Sequence, residues 1–302
     1  MNEENNLKDD LDFWATNSEE GGWNISSTDE GSQKMLEEED EKQIKIQTGS
    51  DVVDDYVYSE ETTDDERMIV NMGPQHPSTH GVLRLQVELE GEVVRRVKPV
   101  IGYLHTGMEK TGEELAYFQG PTNTTRMDYL SPLFNELVFS LTTEKLLDIE
   151  VPERAKAIRI LMTELNRISS HLVALATGGM DIGALSMMIF GFRERELILN
   201  FFEKTSGLRM NHNYIRPGGV AADLPDNWQK DVKEILKIIP EKLKDYDEML
   251  LDNPIWQGRL KNVGILTTEE CFAYGITGPS LRASGFSWDL RKTQPYSGIE
   301  NY

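Results

Sequence analysis

The chain has 302 residues, of which 38% are hydrophobic and 27% charged, so it is long enough to bury a sizeable core. Its net charge of −21 and the lack of a basic stripe argue against a nucleic-acid partner. The single cysteine, Cys271, excludes an internal disulfide, a cluster held by cysteine thiolates and a cysteine-based zinc site, so we expect a buried, inert thiol.

Residues 1–66 differ in composition from the rest of the chain. They contain 22 Asp and Glu against four Lys, a net charge of −18 that leaves only −3 for the remaining residues. High net charge with low hydrophobicity is typical of disorder. We therefore predict an acidic tail over residues 1–66, serving as a solvated spacer or as a docking arm for a basic partner, and one folded domain over residues 67–302.

Neither a targeting peptide nor a membrane span is expected. Signal and transit peptides are basic, whereas this N-terminus is acidic. The longest apolar run, residues 183–192, is about half the length that crosses a bilayer. The sequence ends at Tyr302 with no closing element, so we also expect a C-terminal part to be missing.

The first predicted elements are strands. Residues 68–72 form a short apolar segment, and residues 82–90 alternate apolar and polar side chains with a period of two, which indicates a half-buried strand. Gly91 and Glu92 supply a turn, so residues 93–100 are predicted to return as a hairpin partner.

Helices follow from about residue 109. Apolar residues recur at steps of three and four between Ala155 and Leu175, which predicts an amphipathic helix. We predict long helices over residues 127–147, from 153 onward, over 181–205 and over 227–251, then a short helical turn at 269–274 and an irregular segment over 278–294. The fold class predicted is therefore α+β, with a small N-terminal antiparallel β-sheet followed by a long-helix bundle.

The candidate site begins at the Gly/Pro-bounded turn GPQHPSTHG, residues 73–81, which contains His76 and His80. Such loops have fixed backbones and exposed polar groups, and histidine exchanges protons near neutral pH. Pro77 disfavours the helical spacing with which two histidines bind a metal, and no nearby carboxylate or thiol completes a ligand set. The residues alone leave three readings open: a metal site, a structural turn, and a proton-handling or hydrogen-bonding site.

Two other positions have both a structural and a functional interpretation. Tyr129 in TRMDYL is either a core aromatic with a satisfied hydroxyl or part of a site. Asp181 follows Gly178 and Gly179, which we expect to break two helices, so it is either the N-cap of the next helix or a carboxylate that orients a histidine.

The remaining residues offer fewer indications of function. His105 and His171 are expected in the core or beside a site. Neither GxxxxGK[ST] nor GxGxxG occurs, so nucleotide binding by this chain is not expected.

Six blocks in a fixed order carry a family resemblance: GPQHPSTHGVLRL, IGYLHTGMEK, TRMDYL, MDIGA, YIRPGG and SGFSWDLRKTQPY. Together they resemble the D subunit of respiratory NADH:quinone oxidoreductase, complex I. That family is related to the large subunits of nickel–iron hydrogenases, in which a Cys-x-x-Cys near the TRMDYL position helps to hold the metal. Here that segment has no cysteine, so the resemblance implies a hydrogenase-like fold with no metal held by this chain and a quinone cavity in its place.

The resemblance also implies roles for individual residues. His80 and Tyr129 correspond to the residues that contact the quinone headgroup, and Asp181 to the aspartate that pairs with that histidine. The implied reaction delivers two electrons and two protons to a quinone. The electrons would come from a 4Fe-4S cluster in a partner subunit, near Thr106 and Asn211.

Thr106 and Asn211 depart from the family pattern, because many relatives carry Arg and His there. Losing cationic neighbours is expected to lower the cluster potential, which favours menaquinone over ubiquinone as acceptor. A redox titration that gave a high, pH-dependent potential would contradict this.

The implied partners are an iron–sulfur B-type subunit, a C-type subunit and a membrane H-type subunit. The implied location is the cytoplasmic face of a prokaryotic cell membrane, as a peripheral, proton-translocating oxidoreductase. The same subunit in a ferredoxin- or F420-dependent relative is the alternative, and a true hydrogenase, a non-catalytic scaffold and a soluble metal enzyme at His76 and His80 are less favoured.

Overall fold

A computed structural model of the chain describes residues 67–302, which divide into two compact units. The first unit comprises residues 67–72 and 84–101 and holds a sheet. The second comprises residues 73–83 and 102–302 and is mainly helical. The acidic tail predicted over residues 1–66 lies outside the described residues.

The α+β class predicted from the sequence is confirmed, with a three-stranded antiparallel sheet followed by a helical bundle. The strands are β1 (Arg67–Met72), β2 (Arg84–Glu90), β3 (Val93–Val100), β4 (Ile215–Arg216) and β5 (Gly219–Val220). The helices are α1 (Met108–Glu114), α2 (Gly120–Thr124), α3 (Pro132–Leu147), α4 (Glu153–Asp181), α5 (Ser186–Ser206), α6 (Trp228–Tyr246), α7 (Pro254–Leu260), α8 (Thr268–Ala273), α9 (Gly278–Ala283) and α10 (Leu290–Thr293). Single 3₁₀ turns occur at Pro77–Thr79 and Ile299–Asn301, and a π-helical turn at Asp247–Leu251.

The sheet has the order β1-β2-β3, with both pairs antiparallel. Val87 on the central strand is opposite Val70 and Val97, and it is the residue of β2 that is fully buried. The predicted hairpin between β2 and β3 is confirmed, with a register shift between Glu88 and Leu89. Period-two alternation therefore located this sheet correctly.

The bundle is organised around α4, whose apolar residues recur at helical spacing as predicted. Four of them, Ala155, Ile158, Leu165 and Leu172, are buried. Helices α3, α5 and α6 supply most of the other side chains of the core, and Tyr214, Ile215 and Leu250 come from outside these helices. The main core cluster includes Leu133, Leu137, Met162, Met187, Ile198, Phe202, Tyr214, Val232, Ile235 and Tyr246.

Helices α4 and α5 approach each other closely because small residues face each other. A Cβ on Gly191 would lie 2.7 Å from the Cβ of Ala176, and one on Gly179 would lie 2.7 Å from the Cβ of Met187. Real Cβ atoms do not tolerate such distances, so these glycines are required by packing.

The same packing corrects the expectation that Asp181 begins a helix. Helix α4 continues through Gly178 and Gly179 and ends at Asp181, and α5 begins only at Ser186. The break comes at Gly183, which has φ +99°. Asp181 is therefore the last residue of one helix and not the N-cap of the next.

Other helix boundaries also differ from those expected. Helix α3 begins at Pro132, not residue 127, because a proline without an N–H suits the first turn. Pro152 is the N-cap of α4, and α6 ends at Tyr246 before the π-helical turn. The segment expected to be irregular, residues 278–294, contains α9 and α10.

Candidate functional site

The turn over residues 73–81 has a backbone that few other sequences could adopt. Gly73 has φ +85°, and a Cβ there would lie 2.2 Å from the carbonyl oxygen of Leu83. Thr79 is buried, and its hydroxyl donates to the carbonyl oxygens of Pro74 (3.0 Å) and His76 (3.2 Å). These contacts fix the turn without using the imidazole rings as donors.

The two histidines of this turn have different surroundings. The Nδ1 atom of His76 accepts from the Ser78 backbone N–H at 3.1 Å and caps the 3₁₀ turn, so His76 has a structural role. His80 ends the turn in the left-handed region, at φ 52°, and its side chain is 46% exposed. Both histidines are exposed, and His80 is the one whose ring does not cap the turn.

His80 and Asp181 meet although they are far apart in sequence. The Nε2 atom of His80 lies 3.3 Å from Oδ2 of Asp181, whose side chain is 32% exposed. Asp181 is the last residue of α4, and both a carboxylate and a helix C-terminus attract positive charge. Since Nε2 faces Asp181, the Nδ1 atom of His80 remains available to an incoming molecule.

Arg259 covers the break that follows Asp181. Its guanidinium donates to the carbonyl oxygen of Ile182 and occupies the space that a side chain at Gly183 would need. Sequence reasoning missed Arg259, because no local pattern links a residue of α7 to the end of α4.

Tyr129 lies in the turn that precedes α3 and not on the predicted helix. Asn166 of α4 holds this turn, since its side-chain amide donates to the Leu130 carbonyl at 3.0 Å and its Oδ1 accepts from the Leu133 N–H at 3.1 Å. Tyr129 itself is 43% exposed, and its hydroxyl has no hydrogen-bond partner among residues 67–302. The structure thus joins His80 to Asp181, whereas Tyr129 makes no hydrogen bond to either of them.

Thr106 and Asn211 are the two residues expected near a partner's cluster. Thr106 is exposed in the loop before α1. Asn211 is half-buried with φ 53°, and its Oδ1 atom is buried without a hydrogen-bond partner. No hydrogen bond joins Thr106 to Asn211 within the described part of the chain.

His212, beside Asn211, is buried. Its ring packs edge-on against Phe202 at a centroid distance of 4.9 Å, and its Nε2 atom lies 3.1 Å from the Arg209 carbonyl oxygen. Burial lowers the pKa of His212 to about 4, although the hydrogen bond to Arg209 raises it. His212 is therefore a neutral ring.

The other histidines differ from the cysteine in how far each is buried in the structure. His105 and His171, expected in the core or beside the site, are both exposed. Cys271 is buried as expected, with its sulfur 3.2 Å from the Ser284 hydroxyl oxygen.

Metal-binding clusters and membrane spans can both be assessed over the described residues. Within residues 67–302, no group of three or more His, Cys, Asp or Glu side chains is arranged to hold a metal ion. Over the same range, no helix combines the length and apolar character needed for a membrane span.

Comparison with known proteins gives consistent matches. Residues 181–302 match the family described as respiratory-chain NADH dehydrogenase, 49 kDa subunit. The chain is 61% identical over 240 residues to the D subunit of the NADH-quinone oxidoreductase of Rhodococcus jostii (strain RHA1), covering 79% of this chain and 55% of the relative. It is 56% identical over 262 residues to the corresponding D subunit of Mycobacteroides abscessus, covering 86% and 61%. The chain spans about half the length of the curated relatives that it matches.

Proposed function

Because the chain belongs to the family of the 49 kDa, or D, subunit of NADH-quinone oxidoreductases, we propose that it forms the quinone-reducing site of such an enzyme. The observation that carries the proposal is the half-exposed pair of His80 and Asp181, built from a fixed turn and the end of α4. Its relatives are named for NADH and quinone, which favours an NADH-linked complex over the ferredoxin- or F420-dependent alternative.

The chemistry follows from what a quinone needs. Reduction to the quinol takes up two electrons and two protons, and each carbonyl oxygen needs a hydrogen-bond donor as charge develops on it. Asp181 pairs with Nε2 of His80 and orients the ring, so that the imidazole donates from Nδ1 to one carbonyl. The Tyr129 hydroxyl donates to the other carbonyl.

The structure supports these two donors unequally. His80 has a carboxylate partner in place at 3.3 Å. Tyr129 contributes an exposed phenol whose hydroxyl has no partner among residues 67–302. A double-mutant cycle tests whether both act on one headgroup, because residues that share a ligand give non-additive effects.

The electrons would come from a 4Fe-4S cluster in a B-type partner subunit, since a chain with one cysteine cannot hold such a cluster. A C-type subunit and a membrane H-type subunit complete the proposed assembly at the cytoplasmic face of the membrane. There, quinone reduction would be coupled to proton translocation.

The test is quinone reductase activity in membranes, with assembly of the complex verified. His80→Asn removes the imidazole but keeps a residue that tolerates the left-handed backbone. Asp181→Asn removes the charge, and Tyr129→Phe removes one hydroxyl. We expect each variant to lose at least about tenfold in activity, as for loss of a proton donor or its orienting group.

Matched controls separate the site from general surface effects. Asp148→Asn alters an exposed carboxylate at the C-cap of α3, and Tyr274→Phe alters a more exposed tyrosine. Both should retain wild-type activity. Full activity in assembled His80→Asn and Asp181→Asn complexes would show that the chain is a scaffold without a catalytic role.

The acceptor is proposed to be menaquinone, because Thr106 and Asn211 replace cationic residues beside the cluster. Thr106→Arg and Asn211→His should each raise the cluster's midpoint potential, as measured by an electron paramagnetic resonance titration, since a nearby positive charge favours the reduced cluster. A high potential in the wild-type complex would contradict a menaquinone acceptor.

A further inference from the structure

Glu136 of α3 holds a segment of chain that is remote in sequence. It is fully buried, and its Oε1 accepts from the Asn213 N–H at 2.6 Å. Its Oε2 accepts from the N–H groups of Tyr214 (2.9 Å) and Ile215 (2.8 Å). One carboxylate therefore satisfies three consecutive backbone donors, which otherwise lack a partner in a helix or sheet at this point.

A second carboxylate, two turns further along α3, holds the next part of the same segment. Glu144 accepts from the Gly218 N–H at 2.8 Å and pairs with Arg159, Nη2 to Oε1, at 2.5 Å. Arg159 is 0% exposed and also donates to the carbonyl oxygens of Gly219 (3.0 Å from Nε) and Arg216 (2.8 Å from Nη2). We refer to Glu136, Glu144 and Arg159 together as the clasp.

Buried polar atoms without partners lie at the start of the held backbone and just before it. Asn211 and Asn213 both have left-handed backbones, at φ 53° and 47°. Asn211 Oδ1, His212 Nδ1 and Asn213 Oδ1 are all buried without a hydrogen-bond partner. Buried polar atoms are normally paired, so three consecutive orphans are unfavourable, and the clasp must offset this cost.

We propose that Glu136 is a positioning residue that fixes residues 211–215 and thereby holds Asn211 toward the partner's iron–sulfur cluster. This inference rests on the proposed function, which places the partner's iron–sulfur cluster beside Asn211. An apolar residue at position 136 would leave the three backbone N–H groups of residues 213–215 unpaired. A buried carboxylate without such partners would be unfavourable. The carboxylate therefore serves to orient this segment.

The first measurement is amide hydrogen exchange of the full chain. In Glu136→Gln, which keeps the shape but replaces one acceptor oxygen with a donor amide, exchange at Asn213, Tyr214 and Ile215 should become roughly ten- to a hundredfold faster. Leu137→Ala is the matched control, since it removes a buried side chain next to Glu136 without touching the clasp. It should lower global stability, and exchange at Asn213, Tyr214 and Ile215 should become no faster than exchange at the amides of α3.

The second measurement is the electron paramagnetic resonance signal of the partner's cluster in the assembled complex, which a purely structural role would not change. We expect Glu136→Gln and Asn211→His to shift the signal and Leu137→Ala to leave it unchanged. If Glu136→Gln prevents assembly, Glu136→Asp replaces it, with the same expected shift of the signal. This variant keeps both carboxyl oxygens but withdraws them by one methylene.

Each alternative outcome has a distinct meaning. Unchanged exchange at residues 213–215 would overturn the positioning role of Glu136. A cluster signal that shifts in Asn211→His but not in the Glu136 variants would also overturn the positioning role, but it would still support a cluster beside Asn211. A cluster signal that shifts in none of these variants would overturn both this inference and the proposed location of the cluster.

Discussion

Two buried groups should give the chain opposite responses to pH. Burial raises the pKa of Glu136 from 4.5 to about 7, although three backbone hydrogen bonds and a nearby arginine charge lower it. Burial lowers the pKa of His212 from 6.5 to about 4. Glu136 therefore stabilises the fold most at low pH, and this contribution is lost as the pH rises through about 7. His212 stabilises it above pH 6.5, and this contribution is lost as the pH falls through about 4.

The two contributions are large enough to measure and opposite in sign. On acidification from pH 7.5 to 4.5, Glu136 adds on the order of 3 kcal/mol to the free energy of unfolding, by linkage from its raised pKa. Over the same interval His212 removes roughly 2–3 kcal/mol, by linkage from its lowered pKa. In the wild-type chain the two contributions oppose each other, so replacing one group reveals the other.

The assay is urea unfolding at pH 7.5 and pH 4.5, followed by tryptophan fluorescence, because Trp228 and Trp256 pack against the core. Relative to wild type, Glu136→Gln should lose on the order of 3 kcal/mol more stability at pH 4.5 than at pH 7.5. His212→Gln should instead gain roughly 2–3 kcal/mol relative to wild type over the same change in pH. Other titrating groups are common to all chains and drop out of the differences.

A non-titrating variant sets the baseline. Leu137→Ala should be destabilised by about 2–5 kcal/mol, and by the same amount at both pH values. If Glu136→Gln and His212→Gln changed in the same direction with pH, or if neither differed from Leu137→Ala, burial would not control these two groups and the reasoning would be wrong.

Three further expectations concern buried charge and close packing. Arg159→Met leaves Glu144 buried without its counter-ion, so urea unfolding should show a loss of about 3–5 kcal/mol. Gly73→Ala forces a Cβ to 2.2 Å from a backbone carbonyl oxygen at φ +85°, and a loss of at least about 1–3 kcal/mol in thermal unfolding is expected. Gly191→Ala, at 2.7 Å from a side-chain carbon of α4, should lose about 1–3 kcal/mol in urea, whereas Gly178→Ala, in open space within the same helix pair, should gain about 0.5–1 kcal/mol.

The sequence was most informative where the signal is local. Alternation over β2 and the Gly91 turn are enough to define a hairpin, and apolar steps of three and four define α4. Asp181 was placed on the wrong helix, because two adjacent glycines normally indicate a break. Here the helix continues through both glycines, and position 179 is glycine because Met187 leaves no space for a side chain.

The parts that could not be predicted depend on contacts between distant residues. Glu136 and Glu144 look in the sequence like ordinary charged positions on a helix, and nothing local shows that residues 213–218 will supply their donors. The sequence singles out His80 and Asp181, but only the fold gives the 3.3 Å between their side chains. The role of Tyr129 likewise follows from the resemblance and not from local pattern.

Helix α4 makes contacts with distant parts of the chain near both of its ends. Near its start, Arg159 donates hydrogen bonds to backbone carbonyls within residues 216–219, and its last residue, Asp181, pairs with His80. Its 29 residues form a rod of about 43 Å, stiffened by its ladder of hydrogen bonds and by the glycine contacts with α5. The pair of Asp181 and His80 and the contacts of Arg159 with residues 216–219 are therefore joined by one continuous helix.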